Sequence, residues 1–145
     1  MNGMRRLVIV LMLVALSVSP AAIAARPKSV WAGVYTDAQA ARGAMVYRQT
    51  CALCHGPTLD GTESAPELRG SSLFKPYYGK SVGDLFKQVR EMMPKDAPGT
   101  LSAQQVADVL AHVFMINKMP AGTDELPVAP DVLSDIRIEP KPQPQ

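Results

Sequence analysis

The residues best suited to chemistry lie side by side, as Cys51-Ala52-Leu53-Cys54-His55. The pattern is C-x-x-C-H, the attachment signature for c-type haem. Two thiols three residues apart on a helical turn can each add to a vinyl group of one porphyrin. The next residue then lies under the iron, where the His55 imidazole can be the proximal ligand. Two thioether links would keep the cofactor from being lost to solvent. Both cysteines of the chain are in this motif. Three plainer readings compete. A thioredoxin-like pair wants a βαβ setting and no ligand histidine, and no strand pattern precedes Cys51. A zinc site needs two more donors, and only His112 remains as an obvious one. A simple disulfide leaves His55 unexplained.

An iron held by one histidine is five-coordinate, and the sixth ligand separates an electron carrier from a haem enzyme. A methionine thioether raises the reduction potential and closes the iron to substrate. Met45 lies on the helix leading into Cys51 and cannot swing to the opposite face. Met115 continues an apolar helix stripe and reads as core. Met92, Met93 and Met119 remain. An open sixth site would instead mark a haem enzyme or a gas-binding protein.

Three helices must position these groups. Thr36 is an N-cap with Gln39 three residues on, a capping-box pair, and helix one is predicted from about Asp37 to Cys54. Gly43 in its middle costs about 1 kcal/mol relative to alanine, which suggests that another backbone passes close by. Residues 56–76 carry turn signals at Gly56-Pro57, Gly61, Pro66, Gly70 and Pro76. Leu59, Leu68, Leu73 and Phe74 punctuate this loop and could wrap an apolar cofactor. Ser81 to Met92 reads as helix two, with Leu85, Phe86 and Val89 on one face. Pro94 ends it and biases Met93 toward an extended backbone. Ser102 and Gln105 form a second capping box, and Val106, Val109, Leu110, Val113 and Phe114 recur at helical spacing. No strand is predicted. The fold class is therefore all-α, and a buried haem supplies the centre that so small a helical core lacks.

The first 24 residues are of another kind. Arg5 and Arg6 precede an apolar run from Leu7 to Val18, and Ala22-Ile23-Ala24 fits the small-x-small cleavage rule of a secretory signal peptide. The run is shorter than the roughly 18 to 20 apolar residues of a spanning helix. Cleavage would leave 121 of the 145 residues, with no membrane insertion expected, and a periplasmic location follows. It also removes two of the 15 basic residues, leaving 13 against 13 acidic. A near-neutral chain without a basic stripe excludes nucleic acid as a partner. The predicted organisation is a signal peptide at 1–24, an extended lead-in at 25–35, the folded domain at 36–133 and a Pro-rich flexible tail at 134–145.

Taken together, these residues resemble the class I c-type cytochromes over roughly Gly33 to Leu133. Gly33-Val34-Tyr35-Thr36, Gln39-Ala40-Ala41-Arg42-Gly43, the C-x-x-C-H motif with Gly56, Met93-Pro94, Pro98-Gly99-Thr100-Leu101-Ser102 and Pro120-Ala121-Gly122 are more closely similar to cytochromes that accompany quinoprotein dehydrogenases. The resemblance implies a cytochrome c fold around one covalent haem c. Cys51 and Cys54 would bind it, with His55 proximal and Met93 distal. Pro66 would accept the proximal imidazole N–H. Gly43 and Tyr47 match positions that cross the last helix at Val109 and His112. His112 replaces a usual aromatic and is expected to face helix one rather than the iron. The implied function is single-electron transfer, without enzymatic activity of its own. Redox partner proteins are implied, with a quinoprotein dehydrogenase as donor and a cytochrome or oxidase as acceptor.

Overall fold

The computed structural model describes residues 28–143. The expected signal peptide and the first residues of the lead-in lie outside the described residues. Among the described residues, six α-helices and two very short strands follow one another: β1 (Lys28–Ser29), α1 (Asp37–Thr50), α2 (Ala52–His55), α3 (Gly70–Phe74), α4 (Val82–Met92), α5 (Ala103–Ile116), α6 (Pro130–Ser134) and β2 (Ile136–Arg137). The three main helices of the sequence reading are α1, α4 and α5. A single 3₁₀ turn, Lys75–Tyr77, follows α3.

The caps explain where the helices start. Ser102 and Gln105 close the expected capping box on α5. Ser81 and Asp84 close another on α4. The Ser81 backbone and hydroxyl hold the Asp84 carboxyl below its ordinary range. The box expected at α1 does not close. The Thr36 hydroxyl accepts from the Gln39 N–H at 3.1 Å, but the Gln39 side chain turns inward. Its amide donates to the Leu126 carbonyl at 3.0 Å and accepts from the Leu126 N–H at 2.7 Å. Both polar ends of the buried Gln39 amide thereby have a partner.

The centre of the fold is the crossing of α1 and α5. Gly43 lies directly on the α5 backbone: a Cβ there would sit 1.7 Å from the Asp108 carbonyl oxygen. Beside it, the Tyr47 and His112 rings pack at 5.4 Å between centroids. Arg42 bridges Asp108 at 3.1 Å and Glu125 at 2.8 Å. Gly43→Val is expected to force the helices apart, at or above the upper end of the about 1 to 3 kcal/mol typical of overpacking. An unchanged melting temperature would contradict this.

Other parts depart from the sequence reading. Helix one was expected to run on to Cys54, but it stops at Thr50 and the chain bends at Cys51 before α2. The Tyr47 hydroxyl explains the bend, because it donates to the Gly56 carbonyl at 2.7 Å and draws the second turn back. The loop of 56–76 contains α3, whose Gly-Ser-Ser start has poor helix propensity. Tertiary contacts prevail there. Asn117 accepts from the Gly70 N–H at 2.6 Å and donates to the Leu68 carbonyl at 3.0 Å, while Phe74 packs on Phe114.

The flexible tail does not begin at residue 134. Leu133, Ile136 and Ile138 are buried, and β2 pairs in parallel with β1. The lead-in belongs to the same body: Val30, Val34 and Tyr35 are buried, and the Trp31 indole donates to the Glu139 carbonyl at 2.9 Å.

Candidate haem-attachment site

The bend at Cys51 sets out the C-x-x-C-H residues. Cys51 is half-buried against the core, and Cys54 is exposed; both thiols are free. Burial, with the Cys54 thiol second, pushes Cys51 up to about 11. The α2 turn is closed by the Cys54 and His55 N–H groups bonding to the Cys51 carbonyl. Its own carbonyls are taken up by the loop that follows. The Gly61 N–H reaches the His55 carbonyl at 2.9 Å, and the Thr62 hydroxyl reaches the Cys54 carbonyl.

That loop then returns a carbonyl to the imidazole. His55 Nδ1 lies 2.8 Å from the Pro66 oxygen. A carbonyl only accepts, so Nδ1 carries the proton and Nε2 keeps its lone pair for a metal. Gly61 makes the return possible. It stands at φ +77°, and a Cβ there would come within 2.6 Å of the Glu67 nitrogen and 2.9 Å of the Pro66 carbonyl carbon. The glycine signal at 61 was visible as a turn, but its role in admitting Pro66 was not. The Tyr47 hydroxyl was missed as well. Burial, with Cys51 and Asp60 behind it, pushes that phenol up to about 12, so it remains a donor to Gly56.

Met93 is the C-cap of α4, with extended backbone at φ −123° and ψ 149°, as the following proline requires. It is half-buried, whereas Met92, the last residue of α4, is 53% exposed. Met119 is buried, and its carbonyl accepts from the Tyr35 hydroxyl at 2.7 Å. Of the loop's four apolar residues, Leu59 and Phe74 are in the core, while Leu68 and Leu73 pack against it with one side open. Tyr77 and Val89 do the same.

His112 faces α1 as expected, its ring tilted at 51° to that of Tyr47, and its buried Nδ1 has no hydrogen-bond partner. Burial, with Arg48 second, holds its proton affinity below the ordinary value of 6.5. The unfolded chain therefore takes up a proton that the folded chain resists. This contribution to stability is full above pH 6.5 and is lost as pH falls. His112→Phe should flatten the fall in melting temperature on the acid side, where one such group contributes at most about 1.4 kcal/mol per pH unit. Parallel acid-side curves for the two proteins would refute this.

The donors present fit a covalently attached haem. Two free thiols and an imidazole whose Nδ1 is held by a carbonyl occur together within five residues. Among the described residues, no group of three or more His, Cys, Asp or Glu side chains could hold a metal ion. The zinc alternative therefore lacks a donor set.

This all-α arrangement is a cytochrome c fold of class I. The profile of the family described as "Cytochrome C oxidase, cbb3-type, subunit III" matches residues 38–113, just over half of the chain, and the chain belongs to that family. A solved structure, the sulfane dehydrogenase SoxCD from Paracoccus pantotrophus, is similar in fold, with a TM-score of 0.50 and 24% identity. The match covers 68% of this chain and 52% of that one, so it spans about half the length of the SoxCD chain. A domain of this family carries covalently bound haem c and works by haem-based electron transfer.

Proposed function

We propose that this chain is a monohaem electron carrier of the periplasm, with Cys51 and Cys54 as attachment points, His55 as proximal ligand and Met93 as distal ligand. The bond between His55 Nδ1 and the Pro66 carbonyl carries the reading, since it orients the ring and leaves Nε2 for iron. Such an outer bond also raises ligand basicity. When bound, the haem supplies a one-electron couple. The chain's own residues do the rest. Pro66 and Gly61 hold the imidazole, Tyr47 holds the turn behind it, and Leu68, Leu73, Tyr77 and Val89 exclude water. One C-x-x-C-H motif accounts for one haem.

Electrons are proposed to pass from a dehydrogenase, a quinoprotein by resemblance, to a further cytochrome or an oxidase. No enzymatic step is assigned to this chain. The periplasmic location rests on the leader sequence. Among the described residues, no helix is long and apolar enough to cross a membrane.

The deciding experiment is the optical spectrum of the purified holoprotein, oxidised and reduced. The weak far-red band of ferric haem bound to a thioether is expected, together with a reduced form indifferent to carbon monoxide. A ferrous form that binds carbon monoxide at once would instead support a haem enzyme or gas-binding protein with an open sixth site.

A further inference from the structure

The main helical partner of α4 is unusual. It packs more extensively against α6, a helix of five residues, than against the fourteen-residue α5. The segment that carries α6 and β2, from Pro130 to Glu139, forms an arm that meets the start of α4 through β2 and runs along one side of the helix through α6. The Ile138 N–H donates to the Lys80 carbonyl at 3.0 Å, and the Ile138 carbonyl accepts from the Gly79 N–H at 3.0 Å. Ser81, the N-cap of α4, bridges to Arg137. Leu133 and Ile138 are fully buried. Gly83 lets the arm lie close, since a Cβ there would meet Ser134 Oγ at 3.2 Å and Ser134 N at 3.3 Å. Leu133 and Ser134 face Gly83, Phe86 and Arg90 across one shared cleft.

The arm is itself held at its far side. The Lys28 N–H donates to Asp135, the Val30 N–H to Arg137 and the Trp31 indole to Glu139, all at 2.9 Å. Besides its packing on α5, α4 is therefore braced by the early and late described segments of the chain. The other end of α4 delivers Met93.

We infer that the arm is a positioning element for the distal ligand, with Ile138 and Leu133 as its anchoring residues. The inference rests on the reading of Met93 as that ligand. Leverage is the reason. Eleven residues at about 1.5 Å each make a rod of about 16 Å, so a tilt of about five degrees allowed by slack in the arm moves the Met93 end by about 1.4 Å relative to Ser81. A metal–ligand distance tolerates only a few tenths of an ångström, roughly 0.2 Å. Small play under the arm is thus enough to lengthen or break a sulfur–iron bond, while haem attachment through Cys51 and Cys54 is untouched.

The test uses holoprotein with Ile138→Ala and, separately, Gly83→Val, which wedges the arm from the α4 side. Carbon monoxide affinity of the ferrous form, the far-red ferric band and the reduction potential are read. Val109→Ala, at the α1–α5 crossing, controls for general loss of stability. The expected result is full covalent haem, a weakened band, a lower potential and at least a tenfold gain in carbon monoxide affinity for both arm variants. Val109→Ala should lower the melting temperature alone. In a Met93→Ala background, Ile138→Ala should add nothing further. Arm variants that lose melting temperature while the band, potential and carbon monoxide affinity stay unchanged would overturn the inference. So would an equal gain in affinity with and without Met93. Met93→Ala alone separates the two ideas: if it leaves the band and the affinity unchanged, the ligand reading is what has failed.

Discussion

Replacing both attachment residues, Cys51→Ala with Cys54→Ala, is expected to abolish the holoprotein rather than weaken it. The purified double variant should show no haem stain on a denaturing gel and the mass of polypeptide alone. Both thiols lie in the bent segment at Cys51, and no other cysteine can substitute for either. Without thioethers, a porphyrin would be held only by the imidazole and by non-covalent apolar contact. Such a complex exchanges with solvent and washes out under denaturation. The unaltered protein sets the reference: it should keep its haem through acid–acetone extraction. Haem that is stripped by that treatment would refute covalent attachment outright.

The second large effect belongs to Met93. Met93→Ala should abolish the far-red ferric band, open the ferrous iron to carbon monoxide and lower the potential. A fall on the order of 0.1 to 0.3 V is expected, within the roughly 0.8 V that axial ligands command. Met92→Ala and Met119→Ala should keep the band. Met92 is still in the helix, whereas Met93 has left it with an extended backbone. Met119 is buried in the segment whose carbonyl Tyr35 holds. Loss of the band in Met92→Ala alone would shift the ligand by one residue.

What could be read in the sequence follows from how local each constraint is. C-x-x-C-H is legible because covalent attachment demands those residue types at that spacing. The Met-Pro pair is legible because proline restricts its predecessor. The Ser102 capping box and the Gly43 contact were visible for similar reasons, since each is encoded within one turn or one missing side chain. Gln39 misled, because the same amide can close a cap or satisfy a buried strand of backbone, and only the position of Leu126 decides. Helix α3 was hidden because Asn117, far along the chain, stabilises a start of low propensity. The arm was hidden by distance too. Ile136-Arg137-Ile138 does alternate as a strand would, but its hold on the chain depends on partners such as Trp31, 108 residues before Glu139. The prolines that follow it drew attention to disorder instead.

The pairing of Lys28 with Ile136 brings the first and last described segments of the chain to one place on the molecule. Handles joined at Lys28 and after Glu139 therefore leave from the same pole. A protein tethered to an electrode or a bead at Lys28 and one tethered at Glu139 should present the same outward face. Comparable interfacial electron-transfer rates are expected for the two attachments. A short peptide linking Glu139 to Lys28 would close this part of the polypeptide into a ring without disturbing its interior, which makes the folded segment a candidate for circular permutation.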